Sequence, residues 1–274
     1  MFDMLRFLER KRDGLPHEQG DLETFVERFA SGKIPDYQAS AWLMAVFHSG
    51  LDEGELREFT LALARSGRTV QFPGGLFTVD KHSTGGVGDK TTIPLVPLAA
   101  ACGISVGKLS GPGLGFTGGT VDKLSSIPGF RTHLSLEEFV SQVERIGCAI
   151  SGHSEDLAPA EGRFYALRDV TATVPSLPLI CSSIVSKKMA GGAGAFVFDV
   201  KCGSGAFMKD YQHAEGLALA LVNLSKSLGR KSLALVTDMD QPLGEWIGNA
   251  AEAAEAVHVL RGEGPEDVAQ LTVS

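Results

Sequence analysis

The sequence predicts an α/β protein in which a small helical domain accompanies a larger domain with a mostly parallel sheet. Residues 1–67 have helical periodicity without a strand pattern, whereas from residue 68 onward apolar strand-like runs alternate with helical segments. Two glycine-rich segments, 81–89 and 110–120, each follow one of these apolar runs. Because ligands bind at the carboxyl ends of parallel strands, these segments are the first candidates for a functional site.

Three helices are expected in the N-terminal 67 residues. From Leu22 to Phe29, apolar residues recur at i, i+3, i+4 and i+7, which gives one apolar helix face. A second helix, about 37–48, is apolar on nearly all sides, so we expect it to be buried between neighbours or against a second subunit. The third helix covers about 52–65.

The alternating pattern predicts the remaining elements in chain order. Ser135 and Glu138 have the spacing of a capping box, which opens the helix at 136–146. Helical character returns between 157 and 191, and we expect this segment to rejoin the N-terminal helices. The predicted strands are 76–79, 104–109, 195–200 and 232–237, and the predicted helices are 91–102, 182–190, 213–228 and 249–260.

These predictions divide the chain into two domains. The helical domain comprises 1–67 joined by about 157–191, and the α/β domain comprises 68–156 and 192–274. Residues 264–271 have the proline and acidic residues of a helix start, but the sequence stops at Ser274. We therefore expect the α/β domain to be truncated at its C-terminus.

The glycine-rich segments are suited to binding phosphate. Glycine allows positive φ and close approach of an anion to main-chain N–H groups, and a following helix start adds unpaired donors. Lys81, Ser83, Ser110 and Thr120 add a cation and three hydroxyl groups at the same strand ends. The alternative is that the glycines only form tight turns.

Composition excludes several classes of protein. A formal net charge of −8 argues against nucleic acid as a partner. The four cysteines are widely spaced and form no zinc motif, so they are expected to be reduced. No segment has the length of apolar sequence that a membrane span needs, and no signal-peptide pattern opens the chain. We expect a cytoplasmic enzyme.

Five motifs in order make the chain resemble the thymidine/pyrimidine-nucleoside phosphorylase family. They are the segments 80–89, 117–124, 165–174, 183–188 and 199–208. The resemblance implies reversible phosphorolysis, in which uridine or thymidine reacts with phosphate to give the free base and a pentose 1-phosphate. It also implies a cleft that closes over both substrates and a homodimer formed through the helical domain.

The resemblance also implies a role for individual residues. Lys81, Ser83, Thr92, Ser110 and Thr120 would hold phosphate. Arg168, Ser183 and Lys187 would hold the pyrimidine, and His82 would lie beside its O2; His82, Arg168 and Lys187 form the catalytic set. A monovalent cation such as potassium would lie near Gly88, Leu243 and Glu255, but Lys90 stands where a small or neutral residue is common, so its ammonium would replace the ion.

The second glycine-rich segment departs from the family pattern. Pro112 replaces a usual arginine, Phe116 replaces a histidine that helps to latch the closed cleft, and Ser125 replaces an acid. Proline removes a backbone donor and phenylalanine cannot form the latching hydrogen bond, so closure is expected to be weaker. One alternative is therefore a silent paralogue or fragment that dimerises or binds ligand. Another is an enzyme like anthranilate phosphoribosyltransferase, although the pyrimidine-binding set argues against it.

Overall fold

The computed structural model describes residues 2–111, 113 and 117–274, and the chain divides into two compact units. Unit 1 comprises residues 1–70, 155–192 and 223–229, and unit 2 comprises 71–154, 193–222 and 230–274. The predicted fold class is confirmed: the described chain combines a helical unit with a unit built on a parallel sheet.

Twelve α-helices and five strands occupy the described residues. The helices are α1 Met4–Arg12, α2 Asp21–Ala30, α3 Asp36–Ser49, α4 Glu53–Ala64, α5 Thr92–Ala101, α6 Thr120–Ser125, α7 Leu136–Ile146, α8 Pro159–Val170, α9 Leu177–Ala190, α10 Tyr211–Ser227, α11 Asn249–Leu260 and α12 Glu266–Val273. The strands are β1 Val79–Ser83, β2 Val106–Ser110, β3 Cys148–Gly152, β4 Ala195–Cys202 and β5 Lys231–Asp238.

Aromatic side chains fill the core of unit 1. Trp42 of α3 is fully buried, and its ring centroid lies 4.9 Å from those of both Phe25 and Phe59. Phe164 brings α8 into the same cluster, 4.4 Å from Phe29. Helices α8 and α9 therefore pack into the core that the N-terminal helices begin, through side chains that include Ala160, Phe164 and Leu179.

His17 is a neutral member of this core. Its ring stacks on Phe7 with a centroid separation of 3.8 Å, and its Nε2 accepts a hydrogen bond from the Trp42 indole at 2.9 Å. Burial lowers the pKa of His17 to about 3, and the charges of Lys11 and Arg10 act in the same direction. The imidazole is thus an acceptor that satisfies the buried indole N–H.

Unit 2 is organised by a five-stranded parallel sheet with the order β3-β2-β1-β4-β5. The strand order reverses direction between β1 and β4, which pair along five residues from Val79 opposite Ala195 to Ser83 opposite Asp199. Ligands of open parallel sheets bind outside the carboxyl ends of strands at such a reversal. The first glycine-rich segment follows β1 directly and therefore lies at this position.

The largest differences from the sequence prediction are two element starts and one missing strand. The sequence predicts the first strand at 76–79, but the strand begins at Val79, because pairing with β4 extends it through Lys81 and His82 to Ser83. Strand β3 is absent from the prediction, and it is the edge strand that pairs with β2. The helix predicted at 182–190 begins earlier, at Leu177, with a proline in its first turn.

A fourth helix, α1, precedes the three predicted in the N-terminal segment. Asp3 caps it by accepting from the N–H groups of Leu5 and Arg6, and Phe7 joins the core. Helix α3 is buried on one side only: Trp42 is fully buried, whereas Tyr37 remains 74% exposed. Among the described residues, no helix combines the length and apolar character needed to cross a membrane.

The depressed pKa of His17 predicts acid sensitivity. Below pH 6.5 the unfolded chain binds a proton at His17, whereas the native ring stays neutral down to about pH 3. This difference favours unfolding by about 2 kcal/mol at pH 5 and is absent at pH 7 and above. His17→Gln, which retains an acceptor for Trp42, should lose less thermal stability than the wild type between pH 7 and pH 5.

The exposed residue His48 provides the control, and His48→Gln should follow the wild-type profile. Parallel pH profiles for the wild type and His17→Gln would contradict the assignment of a neutral, buried imidazole.

Candidate active site

A cluster of buried charges lies where β1 and β4 end. The ammonium groups of Lys81 and Lys201 each lie 2.9 Å from Oδ2 of Asp199, and all three side chains are buried. Asp199 also accepts a hydrogen bond from Thr237 of β5 at 2.7 Å. Strands β1, β4 and β5 are parallel neighbours, so their register places these residues side by side near the carboxyl ends of the strands. The ion pairs follow from that register.

Asp89 supplies a second carboxylate to this cluster. Burial by itself raises the pKa of Asp89, but the charges of Lys81 and Lys201, the Ser83 hydroxyl and the charge of Lys123 outweigh it and hold the pKa well below its usual range. Burial likewise lowers the pKa of Lys81, and Asp89, Asp199 and Asp80 raise it above its usual value. Both groups are therefore charged at neutral pH.

Lys123 connects the two glycine-rich segments. Its buried ammonium donates to the carbonyl of Asp89 at 2.7 Å and to the carbonyl of Gly118 at 2.9 Å, and it lies 3.0 Å from Glu252 of α11. Asp122 organises the second segment by accepting from the N–H groups of Gly113 and Gly119 at 2.6 and 2.8 Å. The two segments are therefore adjacent and held by charged side chains.

All five residues expected to hold phosphate lie in unit 2: Lys81 is in the middle of β1, and the other four lie at strand ends or helix starts. Ser83 ends β1 and donates its hydroxyl to Asp89, while the Gly85 N–H donates to the same hydroxyl oxygen at 3.1 Å. Ser110 ends β2, and Thr92 and Thr120 are the first residues of α5 and α6. Pro112 and Phe116 lie outside the described residues.

The residues expected to hold a pyrimidine lie together in unit 1, on α8 and α9. Ser183 and Lys187 are one turn apart on α9, and Lys187 Nζ lies 3.2 Å from the Ser183 hydroxyl. Glu161 of α8 accepts from both: the Ser183 hydroxyl donates to Oε1, and the Lys187 ammonium lies 2.9 Å from Oε2. The same ammonium lies 5.4 Å from the centroid of the Tyr165 ring.

Arg168 lies close to this group and is largely committed to the backbone. Its guanidinium donates to the carbonyls of Leu179 at 3.0 Å and Val174 at 2.8 Å, which holds the connection between α8 and α9. Burial lowers the pKa of Arg168, and the charge of Glu161 acts in the opposite direction. The side chain also lines a small cavity together with Glu161, Ser183 and apolar residues of unit 1.

His82, the third residue of the expected catalytic set, is placed by β1 between Lys81 and Ser83. Its ring is partly buried and lies 6.5 Å from the centroid of Phe198, edge to face. The expected catalytic set is therefore divided: His82 belongs to unit 2, whereas Arg168 and Lys187 belong to unit 1.

The region expected to hold a monovalent cation contains an ammonium group. Lys90 donates to the carbonyls of Leu243 at 2.7 Å and Trp246 at 2.9 Å and is paired with Glu255. Gly88 lies against Leu243, and a Cβ at Gly88 would come within 3.1 Å of the Leu243 nitrogen. Among the described residues, no group of three or more histidine, cysteine, aspartate and glutamate side chains is arranged to hold a metal ion.

Sequence reasoning missed the carboxylates of both charged groups. Asp89, Asp199 and Glu161 each lie inside motifs or segments already recognised, but their function as shared acceptors depends on contacts between separate elements. The only available sequence signal was the presence of an acid inside an otherwise apolar or glycine-rich run. Lys201 is fully buried and was missed for the same reason.

A helical unit combined with a unit that contains a parallel sheet is the domain composition of a glycosyl transferase with a helical bundle domain. Residues 76–273 match the glycosyl transferase family a/b domain, and residues 5–67 match the glycosyl transferase family helical bundle domain. The chain belongs to this family.

Curated proteins that resemble the chain are more specific than the family as a whole. The chain is 51% identical over 270 residues to pyrimidine-nucleoside phosphorylase of Geobacillus stearothermophilus, covering 98% of this chain and 62% of that protein. It is 48% identical over 273 residues to pyrimidine-nucleoside phosphorylase of Bacillus subtilis strain 168, covering 99% of this chain and 63% of that protein. The chain thus spans less than two thirds of the length of these relatives.

A solved structure supports the fold independently. The crystal structure of anthranilate phosphoribosyltransferase (TrpD) from Thermus thermophilus superposes with a TM-score of 0.67, covering 97% of this chain and 85% of that chain. The sequence identity is 16%, so this similarity concerns the fold alone.

The charge cluster predicts that an added anion will compensate for a lost carboxylate. Asp89→Asn leaves the ammonium groups around it with less counter-charge and should destabilise the protein by roughly 3–5 kcal/mol. Inorganic phosphate should then raise the thermal unfolding midpoint of Asp89→Asn more than that of the wild type. The measurement is a thermal unfolding series in phosphate and in chloride at equal ionic strength.

Glu55→Gln is the matched control because Glu55 is a buried carboxylate of unit 1, 2.8 Å from Lys11. This variant should be destabilised, but phosphate should raise its midpoint only as much as that of the wild type, because its glycine-rich segments are unchanged. Equal phosphate gains in both variants would contradict the expectation that an added anion compensates for the charge lost at Asp89.

Proposed function

We propose that the protein catalyses the reversible phosphorolysis of pyrimidine nucleosides, with uridine or thymidine and inorganic phosphate as substrates. The observation that carries this proposal is the Glu161, Ser183 and Lys187 group on α8 and α9, in a chain about half identical to curated pyrimidine-nucleoside phosphorylases. No organic cofactor is required, because phosphate itself is the nucleophile.

On the base side, a cation and a hydroxyl suit a pyrimidine edge. The ring presents carbonyl acceptors and an N–H donor. Lys187 supplies an ammonium donor, and Ser183, one turn away, supplies a hydroxyl oxygen that can accept because its own hydrogen is donated to Glu161. Negative charge develops on the base as the glycosidic bond breaks, and an ammonium held in place beforehand stabilises it. Glu161 acts as a positioning residue because its carboxylate orients both groups.

Arg168 adds a second cation to the base side. Because Leu179 and Val174 accept from its terminal nitrogens, the guanidinium is held rigidly and loses little freedom when it binds a carbonyl of the base. His82, at the end of β1, is the proposed proton donor to the base O2.

On the phosphate side, the proposed ligands are Lys81, Ser83, Thr92, Ser110 and Thr120. Phosphate attacks C1′ of the sugar, the C1′–N bond breaks, and its electrons pass to the base, so no covalent enzyme intermediate is needed. The Ser83 hydroxyl now donates to Asp89, so phosphate binding would require that hydroxyl to turn toward the anion. Adjacent helix starts at α5 and α6 favour negative charge.

The test follows release of free base from uridine and thymidine by ultraviolet absorbance, with and without phosphate. We expect phosphate-dependent release by the wild type. Lys187→Ala should lower kcat/KM by roughly 10²–10³, because it removes charge stabilisation in the transition state. Glu161→Gln should lower it by about 10-fold to 100-fold, because the ammonium remains but is no longer oriented by a carboxylate.

Lys33→Ala is the control, since Lys33 is exposed and belongs to the same unit. Absence of release by a protein with a cooperative unfolding transition would favour the alternative, a chain that binds ligand without turnover. Consumption of anthranilate with phosphoribosyl pyrophosphate and magnesium would overturn the proposal in favour of a phosphoribosyltransferase.

We further propose that the protein is a homodimer through its helical unit. On α3, the exposed apolar side chains Tyr37, Met44 and Phe47 follow a helical spacing of seven and three residues, so they share one face. Exposed apolar faces of this kind are typical of protein interfaces. No nucleic acid or membrane partner is proposed.

Sedimentation equilibrium should give a mass about twice the 29.0 kDa of one chain. Phe47→Glu should shift the equilibrium to the monomer, because a charge would be buried at the interface. Tyr211→Glu, at an exposed aromatic residue of α10, is the matched control and should leave the mass unchanged. A monomeric wild type would rule out this interface.

A further inference from the structure

Lys90 is a completely buried charged side chain at the edge of the glycine-rich region. It is 0% exposed, and its ammonium has three oxygen partners: the carbonyls of Leu243 and Trp246, at 2.7 and 2.9 Å, and the carboxylate of Glu255. These partners come from the loop that follows β5 and from α11. Three separate parts of the chain therefore converge on one positive charge.

The oxygen atoms around Lys90 form the environment of a small monovalent cation. Main-chain carbonyls replace the hydration shell of potassium in known sites, and one carboxylate balances a single positive charge. An ammonium group and a potassium ion carry the same charge and approach oxygen at similar distances. The oxygens of Leu243 and Glu255 are thus already engaged by Lys90, and the residues present do not suit a bound ion.

The close packing around the ammonium leaves no room for an additional ion. Gly244 has φ +75°, and a Cβ built on it would lie 2.6 Å from Lys90 Nζ, so even a methyl group is excluded there. The other oxygen of Glu255 accepts from the N–H groups of Glu245 and Trp246 at 3.0 and 3.1 Å. Glu255 therefore binds the loop on one side and the ammonium on the other.

We infer that the Lys90 ammonium is a built-in replacement for a monovalent cation. It fixes the loop at 243–246 against the first glycine-rich segment and makes the chain independent of potassium. Leu243 supports this inference because its carbonyl accepts from Lys90 and its N–H donates to the Val87 carbonyl at 3.0 Å. The loop is therefore bonded to the first glycine-rich segment as well as to Lys90. Lys90 is thus a positioning residue, and this inference does not depend on the proposed reaction.

The inference predicts that removing the ammonium will create a potassium site. Lys90→Ser leaves the Leu243, Trp246 and Glu255 oxygens in place, opens space and adds a hydroxyl oxygen. In choline chloride its thermal unfolding midpoint should fall by roughly 10 °C, because Glu255 is left buried and uncompensated. In potassium chloride at the same ionic strength, at least half of this loss should be recovered.

Two measurements separate an ion site from general salt stabilisation. Calorimetric titration with potassium chloride should detect saturable binding to Lys90→Ser and none to the wild type. Lys90→Met, whose apolar side chain fills the space, should be destabilised without recovery in potassium. Lys11→Ser is the matched control. Lys11 is similarly buried against Glu55, but in the described part of the chain its ammonium contacts a single main-chain carbonyl, that of Gly50 at 3.3 Å.

Several results would overturn the inference. One is a wild-type midpoint that rises in potassium but not in choline, because the natural chain would then hold an ion of its own. Others are an unchanged midpoint for Lys90→Ser, or a lowered one that potassium does not restore. If Lys90→Ser fails to fold in choline, refolding in potassium replaces the midpoint as the readout, and the wild-type titration still tests independence from potassium.

Discussion

The ion pairs that Asp199 forms with Lys81 and Lys201 stabilise the carboxyl ends of β1 and β4, and the arrangement of the neighbouring loops depends on them. Three charged side chains are withdrawn from water there, and each would be costly without the others. Asp89 joins them from the following loop and stays ionised despite its burial, with a pKa far below its usual range. The strand register that brings β1 and β4 together is therefore also what makes the site electrostatically stable.

Buried ammonium groups also organise the loops that follow the carboxyl ends of these strands. Lys123 binds carbonyls from both glycine-rich segments, and Lys90 binds carbonyls of the loop after β5. Loops rich in glycine have few side chains with which to pack, so hydrogen bonds to their carbonyls replace the contacts that a core would supply. The carbonyls that these ammonium groups bind are therefore fixed before any ligand binds, and such preorganisation lowers the entropic cost of binding.

In the helical unit, the charged group is partly exposed, whereas the ion pairs of Asp199 are buried. There a single carboxylate, Glu161, serves Ser183 and Lys187, and the Lys187 side chain remains 25% exposed. A partly exposed cation with a buried counter-charge is oriented without being fully neutralised, and so it remains able to bind an electron-rich ligand. Arg168 differs, because its terminal nitrogens mainly hold the connection between α8 and α9.

The sequence was sufficient to predict the fold class, the order of most elements and the positions where polar groups gather. Local signals were sufficient for these, such as the capping box at Ser135 and Glu138 and the glycine-rich runs after strands. It did not determine that β1 extends through Ser83 or that β3 exists, because pairing with neighbouring strands decides both. Which charges pair is visible only once the chain is folded: Asp199 with Lys81, Glu161 with Lys187, and Lys90 with Glu255, 165 residues apart. Such pairs depend on distances between separate elements, and a linear pattern of residue types does not contain those distances.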